Sequence, residues 1–464
     1  MNGRPQRPFA AAARLAGALA PPQRQAPPQP VPPPPAAARA IPAPAAGRSQ
    51  RVVLVLQGAA TPFQRRLATA LEAAGARIVK INICGGDAVF WRRRAIAFRG
   101  RFEEWRGFVA GILDREGVTD LVLFGDCRPY HRVAVDLARR RGLRLHLFEE
   151  GYLRPGWVTC EAWGVNGHSD LPRSPAAFLA MARTAEPPPA AAPVPSYFLH
   201  RAVWDVLWTV GLVALMPAFP HYRHHALDHP LVEYAGWLGR FLRASRVKRQ
   251  AQRVMQGLAG QAGRYYLHPL QLDTDFQIRI HSPYPDTVAA AEEVIASFAR
   301  RADPGTRLVV KLHPLDFRPA AKQRRIEALA ARHGVADRVD FIDGGDLQQL
   351  VDGAIGVVVV NSTVGMMALE RGRPLQTLGT AVFDLPGLSF QGGLDRFWAE
   401  GQPPRPELLE AFRRVVVART QIRGSFFSMK GIDLAVDGAR RRILDGEVVP
   451  LREAAWAAQG GETA

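Results

Sequence analysis

Gly356-Val357-Val358-Val359-Val360-Asn361-Ser362-Thr363-Val364-Gly365 reads as a buried strand that runs directly into a helix start. Four consecutive valines leave no polar alternation, so both faces of the strand need cover, as in a parallel sheet flanked by helices. The Asn-Ser-Thr that follows brings an amide, two hydroxyls and the backbone N–H groups of a helix start to the carboxyl end of the strand. Ligands collect there in open α/β sheets, and helix starts favour anions, so Asn361, Ser362 and Thr363 are predicted to contact a phosphate. The bland role for the same hydroxyls is to cap the helix.

The alternation extends outward in both directions. Strands are predicted at 276–280, 308–312 and 339–342, with helices at 287–300, 320–333, 347–352 and 363–371, the last stopped by Gly372 and Pro374. An earlier series places strands at 52–56, 78–81, 121–124 and 143–148 and helices at 62–74, 102–115 and 131–141. Short apolar strands alternating with amphipathic helices predict two doubly wound α/β domains, at 51–185 and 265–404, with terminal helices over 405–464. A chain of 464 residues is long enough for two such cores.

Residues 1–50 are rich in Pro, Ala, Gln and Arg and predict a disordered tail; Arg14 and Pro21-Pro22 interrupt any secretory signal. Residues 186–264 form a linker and a basic, apolar helical segment. Its stretch 204–219 is too short for the roughly 20 residues a spanning helix needs. It predicts a buried core helix first, and a helix lying in a membrane surface second.

Three well-separated cysteines, Cys84, Cys127 and Cys160, fit a reducing compartment better than a disulfide or zinc framework. His221, His225 and His229 have helical ligand spacing but sit between Pro220 and Pro230 with Asp228 as the only carboxylate nearby, so no metal is predicted. The net charge of +18 predicts anionic partners. No nucleic-acid motif accompanies it, and none is expected to bind. Phosphate-loop, dinucleotide, zincin and nucleophile-elbow signatures are likewise missing at any strand-to-helix turn.

Three strand ends carry polar loops: Gln57-Gly58, Gly125 to His131, and Glu149-Glu150-Gly151. Asp126, Glu149 and Glu150 are candidate base or nucleophile. Neighbouring residues on a strand point to opposite faces, so one of Glu149 and Glu150 is expected in the cleft, Glu150 first, with the other paired to Arg154 or Arg128. In Lys311-Leu312-His313-Pro314, Lys311 and His313 are expected on one face at a strand exit, holding and protonating a departing phosphate. A carboxylate rim in one half and a cationic rim in the other outline a nucleotide-sugar transferase.

Val55 to Gly58, Lys80 to Asp87, Glu149-Glu150-Gly151-Tyr152-Leu153-Arg154-Pro155, Phe276 to Ser282 and Lys311 to Asp316 resemble, in register, the KpsS/LipB type of bacterial capsular polysaccharide biosynthesis and export proteins. The resemblance spans about residues 51–400. It implies a GT-B-like fold of two facing Rossmann-type domains with parallel sheets. It further implies a retaining β-Kdo glycosyltransferase that takes Kdo from CMP-Kdo, without a cofactor, and places it on a lysophosphatidylglycerol-type lipid. His313 with Lys311 would face the CMP phosphate, Ser362 would lie near it, and Glu150 would fall where related enzymes carry the Asp of a Glu-Asp-Gly motif. A carboxylate nucleophile, Glu150 or Asp126, would form a transient glycosyl ester. Arg279 and His281 would hold the acidic sugar or acceptor phosphate, and Gln57, Gly58, Glu149 and Arg154 would contact substrate. Such a protein would sit on the cytoplasmic face of the inner membrane, alongside other capsule biosynthesis or export proteins. The alternatives are a transferase for another nucleotide-activated donor, and a glycolipid-binding scaffold without turnover.

Overall fold

The computed structural model describes residues 50–189, 193–224, 230–260 and 263–446. The predicted tail over 1–49 lies outside the described residues, as do His225 and His229. The first series of elements is β1 (Val52–Val55), α1 (Phe63–Ala73), β2 (Arg77–Asn82), α2 (Gly85–Trp91), β3 (Ile96–Ala97), α3 (Trp105–Arg115), β4 (Asp120–Phe124), α4 (Pro129–Arg140), β5 (Arg144–Glu150), β6 (Trp157–Glu161) and α5 (Pro175–Ala182). Helices α6 (Phe198–Ala214) and α7 (Pro230–Ala259) follow. The second series is β7 (Tyr265–Pro269), α8 (Phe276–Arg279), α9 (Thr287–Arg301), β8 (Arg307–Lys311), α10 (Pro319–Arg332), β9 (Val339–Ile342), α11 (Leu347–Gly353), β10 (Gly356–Val359), α12 (Val364–Glu370), β11 (Leu375–Thr377) and α13 (Leu394–Glu400). The described chain ends with α14 (Pro406–Thr420), β12 (Gln421–Arg423) and α15 (Met429–Asp445).

Both sheets have the doubly wound order. The five-stranded sheet runs β11-β10-β7-β8-β9, all parallel. The seven-stranded sheet runs β12-β6-β5-β4-β1-β2-β3; its β3 to β5 part is parallel, and β6 and β12 extend it antiparallel. The architecture is thus two Rossmann-type α/β units. Strand chemistry explains it. Leu54 and Leu56 face Trp105, Val109 and Ile112, while Val53 and Val55 face Phe63, Leu67 and Leu71, so one continuous apolar run serves two layers.

Three expectations change. The predicted strand at 276–280 is the short helix α8: the slot beside β8 belongs to the fully buried Tyr265–Pro269, and Asp275 caps α8 by accepting from Gln277 N at 2.9 Å. The domains also interlock beyond the predicted boundaries. Phe178 of α5 packs on Phe412 of α14 inside the core of the second unit, whereas β12 returns the chain to the first sheet and α15 buries Ile432, Ala435 and Ile443 against α1. Finally, the apolar stretch 204–219 is not a buried core helix. Only one side of α6 is seated, on α2, where Gly85, Gly86 and Gly211 permit contact so close that a Cβ on Gly85 would meet the Gly211 carbonyl oxygen at 2.1 Å. The other side is exposed.

Candidate active site

In this topology the crevices open between β1 and β4 and between β7 and β10, outside the carboxyl ends of the strands. Each crevice floor is sealed by one buried amide. Gln57 receives a hydrogen bond from Arg128 Nη1 at 2.9 Å and donates to Cys84 Sγ and Tyr222 Oη, both at 3.3 Å. Asn361 accepts from Gln271 Nε2 at 3.0 Å and donates to the carbonyls of Gln277 at 2.8 Å and His281 at 3.1 Å. Both side chains are therefore engaged in building the site, and Asn361 positions α8 in place of the predicted phosphate contact. Gly58 offers its carbonyl to Arg128 at 3.2 Å, and a Cβ there would meet Gln64 at 2.4 Å.

Strand β5 ends on the two carboxylates. Alternation sets the two on opposite faces of the strand, and Asp275, from the facing unit, lies near enough to act electrostatically with both. Glu150 is ion-paired with Arg154 at 3.1 Å and with Arg201 of α6 at 3.2 Å. Burial pushes its carboxyl up, but Arg154 and Arg201, with His313 adding less, more than offset this and hold it below the ordinary value. Glu149 has the opposite fate. Burial, reinforced by the charges of Glu150 and Asp275, pushes it up to about 7, although its Oε1 accepts from Glu150 N at 3.1 Å. Arg154 thus neutralises the carboxylate expected in the cleft, and Arg128 is committed to Gln57 and Gly58.

Asp126, the second candidate nucleophile, sits lower. Its side chain is 3% exposed against 22% for Glu150. It pairs with His168 Nδ1 at 2.9 Å and accepts from Cys127 Sγ at 3.2 Å, and His281 of the second unit approaches Cys127 Sγ through Nε2 at 3.4 Å. Burial pushes Asp126 up and His168 more than compensates, so it stays below the usual carboxylate range. Burial, then His168, lowers His281 to about 4, leaving a neutral imidazole. The donor atoms of Asp126, Cys127, His168 and His281 lie within 4.8 Å of one another, a set with the chemistry to hold a divalent cation. Without one, Asp126 and His168 are hydrogen-bonded within the first unit, and the contact of Cys127 Sγ with His281 Nε2 joins the two units. Beneath them, the turn before His168 is fixed by Asn166 N donating to Tyr152 Oη, which itself donates to Glu161, both at 2.5 Å.

The opposite rim belongs to β8. The strand stops at Lys311, so His313 stands in the following loop and strict alternation no longer relates the two. Lys311 is 5% exposed, and the charges acting on it are Asp343, Arg240 and Asp346. His313 is half-buried and feels Arg201. Burial, then Arg201, lowers it to about 4, so it is neutral near pH 7 and suited to holding a phosphate rather than protonating it. Its Nδ1 accepts from Leu315 N at 3.1 Å, which puts the imidazole proton on Nε2. Ser362 Oγ accepts from Val364 N at 3.2 Å in the turn that opens α12, and Ser362 and Thr363 both keep partial exposure. Arg279 stacks on Phe276 at 5.3 Å. Beside His281, a cavity of about 410 Å³ is lined by Ser282, Thr377, Gly379, Thr380 and Asp384. A larger one of about 550 Å³, between α7 and the loop after β9, is lined by none of the predicted site residues.

Sequence reading missed Cys127, His168, Arg201 and Asp275 as members of this site. Cys127 lies within the polar loop Gly125 to His131 and Asp275 adjoins the stretch from Phe276, but nothing local marks His168 or Arg201, which only the fold brings to the cleft.

A family model described as capsule polysaccharide biosynthesis protein matches residues 119–427. The chain is 33% identical to the capsule polysaccharide export protein KpsS of Escherichia coli over 384 residues, covering 82% of this chain and 97% of that one. It is 31% identical to the capsule polysaccharide modification protein LipB of Neisseria meningitidis serogroup A over 383 residues, covering 81% and 91%. Among solved structures, the KpsC beta Kdo 2,7 transferase of Thermosulfurimonas dismutans aligns with 86% of this chain and 100% of its own, at 14% identity and a TM-score of 0.41.

Proposed function

The chain belongs to the family of capsule polysaccharide biosynthesis proteins, and from that premise we propose that it is a retaining β-Kdo glycosyltransferase that moves Kdo from CMP-Kdo to a lysophosphatidylglycerol-type lipid. The product would be the glycolipid primer on which a capsule is built, made at the cytoplasmic face of the inner membrane by a peripheral enzyme working with other capsule biosynthesis or export proteins. One observation carries the chemistry: adjacent carboxylates at the end of β5, one held ionised and the other pushed up to about 7, in a cleft shared with the second unit.

In the proposed route the ionised Glu150 attacks the anomeric carbon of Kdo, the bond from that carbon to the phosphate oxygen breaks, and CMP leaves with the electron pair. His313 Nε2–H and the hydroxyls of Ser362 and Thr363 donate to the phosphate as charge builds there. Glu149 then takes the proton of the acceptor hydroxyl as that oxygen displaces Glu150, restoring the carboxylate and giving net retention. Exposure favours Glu150 over Asp126 as nucleophile, and Asp126 would position His168. Arg279 and His281 would hold the anionic groups of donor and acceptor, and Arg154, paired with Glu150, would contact substrate beside it. No cofactor is assigned to the step.

The test is incubation of the purified chain with CMP-Kdo and a lysophosphatidylglycerol analogue, followed by the mass of the lipid product. A gain of one Kdo residue is expected, and Glu150→Gln should abolish it while leaving the fold intact. Consumption of a different nucleotide-activated donor in place of CMP-Kdo, or binding of glycolipid with no turnover, would replace this reading.

A further inference from the structure

Helix α6 carries its apolar residues on the wrong side for a core. Leu199, Val203, Val206, Leu207, Val210 and Val213 recur at helical spacing and form one stripe, each 44–71% exposed. No charged side chain interrupts it. The opposite side holds the buried Gly211 and the half-buried Trp208, packed on α2, and Arg201, whose guanidinium reaches Glu150 at 3.2 Å. At 17 residues the helix is about 25 Å long, and no helix among the described residues is long and apolar enough to cross a membrane. A continuous apolar stripe of this kind on a soluble surface marks a docking face.

We propose that this stripe seats the protein in the plane of an anionic lipid bilayer, with α6 lying in the headgroup boundary. Charge selects the occupant. The helix on which α6 rests is followed by the exposed Arg92, Arg93 and Arg94, of which Arg93 is paired with Glu72; Arg223, exposed just beyond α6, is paired with Glu103; and the whole chain carries +18. Cations beside an apolar helix face match phosphate headgroups above acyl chains, whereas a second copy would bring like charges together. Because α6 touches lipid on one side and Glu150 on the other, a lipid acceptor would reach the cleft along the same helix. This deepens the transferase reading and rests on it only for that last step.

The experiment is flotation of the full chain with vesicles of phosphatidylethanolamine and phosphatidylglycerol, set against vesicles of phosphatidylcholine alone. Binding is expected to the anionic vesicles, weakened by salt, and the double variant Val206→Glu, Val210→Glu should lower it about tenfold or more. Both side chains are exposed, so melting temperature and helix content should not move. Failure of the wild-type chain to float, or equal flotation of the double variant, overturns the proposal. So does a wild-type dimer that the double variant dissociates while vesicles capture neither. Transfer to a water-soluble acceptor analogue, measured on the same samples, separates the two ideas. Transfer retained by a variant that no longer floats supports docking through α6, while flotation without any transfer sinks the transferase and leaves the docking face standing.

Discussion

Glu149 and Glu150 are neighbours in the chain with opposite electrostatic fates, because the two faces of β5 meet different charges. Glu150 faces two guanidinium groups and stays ionised; Glu149 accepts one backbone N–H and is otherwise desolvated, with its pKa near 7. A base with such a pKa must lose its proton to work, so activity should rise as pH passes through about 7. In Glu149→Gln that ascending limb should vanish and kcat should fall by about 10²-fold or more. A rate–pH profile of both forms checks this; an unchanged limb would move the base elsewhere. His313 shows the same local control, since a single backbone donor at Nδ1 decides which nitrogen carries the proton.

At the scale of elements, the short helix α8 illustrates tertiary override of local propensity. Phe276-Gln277-Ile278-Arg279-Ile280 has strand-like composition, yet the ladder position between β8 and β10 is taken by β7, and the cap from Asp275 together with the two hydrogen bonds from Asn361 holds it as a helical turn. Asn361→Ala would leave the carbonyls of Gln277 and His281 without their donor, at a cost of about 1–3 kcal/mol. Because the change loosens the wall that carries Arg279 and His281, KM for the donor should rise more than kcat falls. Urea denaturation and steady-state kinetics measure the two effects. Helix α6 makes the complementary point: glycines on α2 and α6 let one side approach closely, which turns the other side outward.

Across the whole molecule, buried titratable groups set a pH window. Burial lowers His131 to about 3, and His268, His281 and His313 to about 4, from an ordinary 6.5. Below about 6.5 the unfolded imidazoles take protons that the folded ones refuse, so this stability is present above 6.5 and is lost as pH falls toward 4. Burial raises Glu149 to about 7 and Glu161 to about 8, and their contribution runs the other way, declining as pH rises from the ordinary carboxylate range through those values. Four groups against two give a net rise up to about 6.5 and a decline beyond it. Melting temperature should therefore peak near pH 6.5, and His268→Phe, remote from the cleft carboxylates, should make the acid limb shallower. A curve flat between pH 5 and 8 would contradict the assignment of neutral buried imidazoles.

Continuous apolar strands such as 356–360 and 121–124, alternating with amphipathic helices, were enough by themselves to specify two doubly wound α/β units, because a strand without polar alternation has to be covered on both faces. The polar loops at the strand ends, and with them Glu150, Asp126, His313 and Asn361, were legible for the same reason: the carboxyl edge of such a sheet is where chain chemistry gathers. Only the tertiary structure decided which of these side chains are engaged in building the cleft, as Gln57 and Asn361 are, and which remain open. It alone brought His168, Arg201 and Asp275 to the site and turned the apolar stripe of α6 outward. Those outcomes depend on hydrogen bonds and close contacts between residues far apart in the chain, and local periodicity holds no record of them.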